Sequence, residues 1–166
     1  MIKFVRLDER LIHGQVATKW IKQFNITHVI VANDSIAKNE LLKKTLMMAA
    51  PKETKVAIET IKKTVLMLKN PKSNNANIML IVNNPKDAFE LIELIPEIKE
   101  INIGNFGRNA TNEESSPRKP LSKNVYVNDS ERKQFKDLVN TGKYIYFQTV
   151  PEEPQINMAD LLGGKN

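Results

Sequence analysis

The sequence predicts an α/β fold: an open, mainly parallel sheet of about six or seven strands with helices on both faces, in three α/β/α layers. The first indication is that short β-rich runs alternate along the chain with segments whose apolar residues recur at helical spacing. The second is size. A chain of 166 residues, 41% of them hydrophobic, can bury one sizeable core. We therefore expect a single domain over residues 1–166.

The predicted strands are short apolar runs flanked by turn-forming residues. They cover residues 2–6, 28–32, 55–58, 77–82, 100–103, 125–127 and 144–149. Two stretches are predicted to be loops, residues 70–75 and residues 104–122. The second is long for a compact domain and rich in Gly, Asn, Ser and Pro, so we expect it to be functional or mobile.

The segments between the strands carry apolar stripes of helical period, each expected to cover one face of the sheet. The stripes are Val16, Trp20, Ile21 and Phe24; Leu41, Leu42, Thr45, Leu46 and Met48; Ile61, Val65, Leu66 and Leu68; Ala88, Leu91, Ile92 and Ile95; Phe135, Leu138 and Val139. Asn84-Pro85 is expected to open the fourth helix. Asp129 or Ser130 is expected to cap the fifth helix.

Composition narrows the function classes. The chain has no cysteine, which excludes disulfides and thiol chemistry and favours a reducing cytoplasm. With only two histidines as well, no metal site is expected, and no cofactor is predicted. The apolar runs are too short to span a bilayer, and no signal peptide is expected. A net charge of +6 favours acidic partners, but aromatics make up 6% and form no ladder, so nucleic-acid binding is not expected.

The densest polar cluster follows the first strand, where a parallel sheet binds ligands. It runs from Arg6 to Val16 and contains two arginines, two acids and a histidine, His13, beside Gly14. An imidazole can attack a phosphoryl group, arginine can clamp its oxygens, and the start of the following helix offers backbone donors. Asp8 could hold an arginine or orient the ring. The alternative is a surface histidine among solvated ion pairs, and composition alone leaves both open.

Other strand ends offer weaker candidates. Asn33 and Asp34 follow the second strand and either orient a ligand or form an Asx turn that caps a helix. Residues 104–108 follow the fifth strand and form either a small anion nest beside Arg108 or a plain turn. The second histidine, His28, begins an apolar strand and is expected to be structural.

The segment from Arg6 to Val16, RLDERLIHGQV, closely resembles the phosphorylation loop of IIB components of the mannose/fructose/sorbose class of the bacterial phosphoenolpyruvate-dependent sugar phosphotransferase system. The resemblance extends over nearly the whole chain, through residues 31–34, 48–51, 102–105 and 150–151. It departs in residues 104–122, which look long and rich in Asn.

The resemblance implies a phosphocarrier, a protein-histidine phosphotransferase acting on a sugar. His13 would accept a phosphoryl group from a phosphohistidine IIA partner and pass it to a sugar entering through membrane IIC and IID proteins. Arg10 and Asp8 would assist His13. The predicted phosphate-binding residues are Arg6, Gly14, Gln15, Asn33, Asp34, Gly104 and Asn105.

The resemblance also implies a cytoplasmic protein that associates peripherally with the permease and exists as a stand-alone IIB chain. Several members of the family dimerise, so a homodimer is one expected assembly. Arg6, Arg10 and Arg108 are expected to form a basic rim that attracts an acidic IIA surface. Two alternatives remain: a nucleotide-binding module, for which no glycine-rich phosphate motif is present, and a histidine phosphatase, which would need a further acid.

Overall fold

The fold is described by a computed structural model covering residues 1–108 and 116–163, without the side chains of Gln15 and Val16. Nine strands lie within these residues: β1 (Ile2–Leu7), β2 (His28–Ala32), β3 (Lys55–Glu59), β4 (Ile78–Val82), β5 (Glu100–Ile103), β6 (Lys119–Ser122), β7 (Val125–Val127), β8 (Tyr144–Phe147) and β9 (Ile156–Asn157). The α-helices of the same residues are α1 (Gly14–Gln23), α2 (Glu40–Ala49), α3 (Ile61–Lys69), α4 (Pro85–Leu94), α5 (Asp129–Val139) and α6 (Met158–Leu162).

Seven strands form one sheet in the order β3-β2-β4-β1-β5-β8-β9. Every neighbouring pair is parallel except β8 and β9, which are antiparallel at the edge. The predicted fold class is therefore confirmed, and the sheet has seven strands. The predicted strand over residues 125–127 is not one of them, whereas β9, which was not predicted, is. The remaining two strands, β6 and β7, form a separate antiparallel hairpin.

Helices cover both faces of the sheet. The near-continuous apolar runs of β2 and β4 require this, because successive side chains of a strand point to opposite faces. On face A, the sheet packs against α1 and α2 through residues such as Trp20 and Leu46. On face B, it packs against α3, α4, α5 and α6 through residues such as Leu91 and Phe135. The chain leaves β1 towards face A and leaves β5 towards face B, so the carboxyl ends of β1 and β5 flank a point where the winding direction reverses. Such a point is where open α/β sheets bind ligands.

The segment from residue 104 to 122 is not a continuous loop. Lys119–Ser122 forms β6, which pairs with β7. Pro120 hid this strand from sequence analysis, because proline is disfavoured in strands except at edges. In the two-stranded hairpin both strands are edge strands, so β6 can contain a proline. The register is irregular between Pro120 and Ser122. Residues 109–115 of the predicted loop lie outside the described residues.

Several other boundaries differ from the sequence prediction. Residues 71–75 form a short 3-10 helix begun by Pro71. The predicted strand over residues 144–149 ends at Phe147, and β9 and α6 follow it without having been predicted. The cap of α5 is Asn128, which forms a reciprocal capping box with Glu131, so Asp129 and Ser130 lie one and two positions too late. Asn84 caps α4 as predicted.

Helix α2 buries much less of its apolar stripe than predicted. Leu46 is 5% exposed, whereas Leu41 is 78% and Met48 is 84% exposed. The reason is position: α2 packs beside β3, which is the edge strand, so no further strand lies beneath the outer side of the helix. None of the helices in residues 1–108 and 116–163 has the length and apolar content required to cross a bilayer.

This difference within α2 gives a first prediction. Leu46→Ala should lower the free energy of unfolding by about 2–5 kcal/mol, because it opens a cavity in the face A core. Met48→Ala, two residues later in the same helix, should lower it by less than about 0.5 kcal/mol, because its side chain is exposed. Urea denaturation of both variants measures the two losses. Similar losses would show that α2 buries both side chains.

Candidate functional site

The loop that joins β1 to α1, residues 8–13, lies at the carboxyl edge of the sheet and is anchored on both sides. The backbone N–H of Asp8 donates to the carbonyl of Val82 at the end of β4, at 2.9 Å. The N–H of Glu9 donates to the carbonyl of Asn105, just after β5, at 2.8 Å. These two contacts fix the start of the loop between the neighbouring strands.

A buried ion pair lies beneath the loop. Arg6 is 2% exposed and Asp8 is 0% exposed, and the Arg6 Nη2 lies 2.9 Å from the Asp8 Oδ2. The Arg6 Nε donates to the same oxygen at 3.2 Å. Nη1 and Nη2 also donate to the side-chain oxygen of Asn102 and to the carbonyls of Gln148 (3.2 Å) and Thr149 (3.3 Å). The five N–H groups of the guanidinium thus have five protein contacts.

These contacts change the role expected of Arg6. Its inclusion in the basic rim is wrong, because the side chain is buried. No N–H group of Arg6 is free for a phosphate in this arrangement, so its predicted phosphate contact receives no support from the geometry. Burial lowers the pKa of Arg6, and the charge of Asp8 opposes that effect. The guanidinium also lies 5.7 Å from the ring centre of Trp20 in α1, a cation–π distance.

Asp8 connects this pair to the loop. Its Oδ1 accepts the backbone N–H of Arg10 at 3.0 Å, and its Oδ2 accepts the Asn105 side-chain amide at 3.0 Å. Of the two roles considered for Asp8, the structure shows that of holding an arginine. The Arg10 backbone is held in place while its side chain is exposed and forms no ion pair or hydrogen bond with the described residues. Arg10 therefore presents an exposed guanidinium beside a fixed loop.

Gly104 makes room for the ion pair. A Cβ atom at this position would lie 2.0 Å from the Arg6 Nη2 and 2.7 Å from the Asp8 Oδ2. Gly104 and Asn105 were predicted to bind phosphate. In the structure Gly104 provides space for the pair, and the Asn105 side chain binds Asp8.

His13 is the residue that precedes α1, in the N-cap position, with extended backbone and no side-chain capping bond. Its Nδ1 lies 3.1 Å from the carbonyl of Leu11. Because a carbonyl only accepts, Nδ1 carries the proton in this arrangement, and Nε2 of the neutral ring carries the lone pair. Nε2 is buried and has no hydrogen-bond partner among the described residues. Positive φ angles at Leu11 (57°) and Gly14 (44°) produce the turn that places the ring.

Of the two alternatives for the segment after β5, an anion nest or a plain turn, the structure has the nest, and a carboxylate of the chain occupies it. Glu9 accepts the backbone N–H groups of Gly107 at 2.9 Å and Arg108 at 3.1 Å, one on each oxygen. The Arg108 side chain donates to the Asn124 Oδ1 at 3.1 Å and lies over the ring of Tyr126. Glu9 thus ties the β1–α1 loop to the segment that follows β5.

Asn33 and Asp34 form the turn that was the alternative for them. The Asn33 Oδ1 accepts the N–H groups of Ser35 and Ile36, and the Asp34 Oδ1 accepts the N–H of Ile61 at the start of α3, at 2.9 Å. They follow β2, which β4 separates from β1. Phosphate binding by these residues and by Gly14 stays a prediction. The side chain of Gln15 lies outside the described residues, although its backbone begins α1.

Sequence analysis missed the residues that complete the support of the loop. They are Asn102, Gln148 and Thr149, which accept from Arg6, together with Trp20 and Glu9. Asn102 carried a usable signal, since it is a polar residue between two isoleucines of a short strand. In the described part of the chain, no group of three or more His, Asp or Glu residues could hold a metal ion.

The buried ion pair gives a second prediction. Asp8→Asn leaves the Arg6 charge buried without an anionic partner and should lower the free energy of unfolding by about 3–5 kcal/mol. The matched control is Asp137→Asn, which breaks the exposed 2.8 Å pair with Lys133 and should cost less than about 1 kcal/mol. Chemical denaturation of both variants measures the difference. Equal losses would mean that the Arg6 charge is solvated.

Known proteins resemble this chain both in sequence and in fold. A family model described as the PTS system sorbose subfamily IIB component matches residues 2–166. A probable phosphotransferase enzyme IIB component of Streptococcus pyogenes is 32% identical over 163 residues, which are 98% of this chain and 99% of that protein. The mannose-specific EIIAB component of Escherichia coli is 30% identical over 162 residues, covering 98% of this chain and 48% of that protein.

A solved structure agrees with these relatives. The IIBSor domain of the sorbose permease from Klebsiella pneumoniae superposes with a TM-score of 0.89 at 28% identity, covering 100% of this chain and 98% of that one. The matched residues include the β1–α1 loop and every strand described above. The chain therefore belongs to the sorbose subfamily of IIB components, within the mannose/fructose/sorbose class of the sugar phosphotransferase system.

Proposed function

We propose that this IIB component is a phosphocarrier that accepts a phosphoryl group on His13 from the phosphohistidine of a IIA protein. It then transfers the group to a sugar that enters through membrane IIC and IID proteins. The observation that carries this proposal is the position of His13. At this position, the imidazole lies at the start of α1, which has no side-chain cap. The exposed guanidinium of Arg10 lies on the same loop, which Asp8 fixes.

The chemistry exchanges one P–N bond for another. A lone pair of the His13 ring forms a bond to phosphorus while the P–N bond of the donor breaks and returns its electron pair to the donor ring. In the second step a sugar hydroxyl oxygen attacks phosphorus, the His13 P–N bond breaks, and the released imidazole takes up the hydroxyl proton. The chain mainly has to supply alignment and charge compensation.

Two groups supply the charge compensation. Arg10 can place two N–H donors on the oxygens of the transferring group, since its guanidinium is not bound elsewhere in the described residues. The first N–H groups of α1 lack intrahelical acceptors, and His13 provides no side-chain cap. A phosphoryl group on the His13 ring would take the place of that cap and would lie at the positive end of the helix dipole.

The ring must be uncovered before transfer. In this conformation Nε2 is buried, and Nδ1 is bound to the Leu11 carbonyl. Neither nitrogen therefore presents an accessible lone pair. We infer that docking of the IIA protein turns the ring or shifts the loop, and the glycine that follows His13 allows such a movement at low cost.

The partners follow from the same proposal. One relative, the Escherichia coli mannose-specific protein, is an EIIAB component by name, which supports a IIA protein as the donor. The net charge of +6 and the exposed Arg10 and Arg108 favour an acidic docking face on that donor. The proposal places the protein in the cytoplasm beside its permease. A homodimer stays a prediction.

The third prediction tests the acceptor directly. His13→Gln should fold and accept no label from radioactive phosphoenolpyruvate when the upstream phosphotransferase proteins and the cognate IIA protein are present. Without IIA, the wild-type protein should also stay unlabelled. The adduct should be labile in acid and stable in base, as a phosphoramidate is and a serine ester is not.

The matched control is His28→Gln, which alters the only other histidine of the chain and should be labelled like the wild type. Labelling of His13→Gln would remove His13 from the mechanism. The isolated phosphoprotein should also keep its label for hours, whereas rapid loss to water would indicate a phosphatase.

A further inference from the structure

A cavity of about 320 Å³ opens on face B at the amino ends of β2, β3 and β4. Its apolar walls come from these strands, from α3 and from the segment that follows α3, namely Ile30, Ala57, Met67, Ala76 and Ile78. Ala57 lies on the edge strand β3, and its small side chain leaves the space that a larger residue would fill. The volume is at the lower end of the range for small-molecule sites.

The mouth of this cavity is cationic. His28, Lys55 and Lys72 line it, and no Asp or Glu is among its lining residues in the described part of the chain. Neither Lys55 nor Lys72 forms an ion pair with the described residues. The N-terminal amino group lies close by, because it donates to the carbonyl of Ala76 at 2.6 Å.

The charges at the mouth act on one another. Burial lowers the pKa of His28, and the positive charges of Lys55 and of the N-terminal amino group lower it further. No acidic residue among the described residues lines the cavity, so the positive charges at its opening, above the apolar walls, lack a counter-ion there. A ligand that matches both parts has one negative charge and a short hydrocarbon body.

We propose that this cavity binds a small amphiphilic anion, a carboxylate on a short alkyl chain. The chain lies on Ile30, Ala57 and Ile78, and the carboxylate lies between Lys55 and Lys72. The cavity is at the amino edge of the sheet, whereas His13 is at the carboxyl edge, so this binding does not depend on the function proposed for His13.

The test uses sodium hexanoate as the probe and the two histidine ring signals in proton NMR as the readout. The His28→Gln variant identifies the signal of His28. Hexanoate should bind with a dissociation constant on the order of millimolar. It should raise the pKa of His28, because the carboxylate offsets the nearby positive charges, and it should leave the His13 signal in place.

Two variants and two other probes complete the design. Ala57→Leu should abolish binding by filling the cavity. Lys55→Ala, at an exposed position, should weaken it by about two- to fivefold. The control Lys44→Ala, on face A, should change nothing. Acetate, with the charge alone, and 1-hexanol, with the chain alone, should each bind more weakly than hexanoate.

The proposal fails if hexanoate produces no saturable shift of His28. It fails equally if acetate or 1-hexanol matches hexanoate, because one half of the site would then be irrelevant. Unchanged affinity in Lys55→Ala would also overturn it, even if Ala57→Leu did not fold.

Discussion

The buried pair between Arg6 and Asp8 is the interaction on which the β1–α1 loop depends. Two charges withdrawn from water are costly unless each is closely paired and its other hydrogen-bonding atoms are satisfied. Here the contacts that satisfy Arg6 come from β5 and from the segment after β8, and the contacts that satisfy Asp8 come from Arg10 and Asn105. The electrostatic requirement of one pair therefore ties two distant parts of the chain, residues 102–105 and 148–149, to the β1–α1 loop.

The same constraint explains the backbone of the loop. Once Asp8 fixes the N–H of Arg10, the chain must turn sharply to begin α1, and positive φ angles at Leu11 and Gly14 provide that turn. The turn brings the Leu11 carbonyl to the His13 ring and leaves the start of α1 without a side-chain cap. In the proposed mechanism, the phosphoryl group supplies the missing cap. The helix start would then be better satisfied in the phosphorylated protein than in the free one.

The main sheet could be predicted from the sequence because its signals are local. Apolar runs and turn residues identified the parallel strands, and the cluster from Arg6 to Val16 identified the loop. The contacts inside the site could not be predicted in this way. Arg6 and Asn102 are 96 residues apart, and an arginine within a strand gives no sign that its charge is buried. Likewise, the role of Gly104 depends on a side chain from another strand.

Where the local sequence pattern gave the wrong prediction, the position of the segment in the fold explains the difference. The apolar stripe of α2 has the right period, yet Leu41 and Met48 remain exposed because the sheet ends at β3. Pro120 disfavours a strand by itself, but a two-stranded hairpin outside the main sheet tolerates it. In both cases the deciding factor is which element lies alongside.

In the proposed mechanism, Asp8 acts on phosphoryl transfer by positioning Arg10. A double-mutant cycle tests this role most directly. The single-turnover rate of phosphoryl transfer from the phosphorylated IIA protein would be measured for Asp8→Asn, Arg10→Lys and the double variant, each under conditions where it is folded. If Asp8 positions Arg10, the double variant should be no slower than the slower single variant. Rate losses that multiply would show that the two residues act independently and would contradict this account.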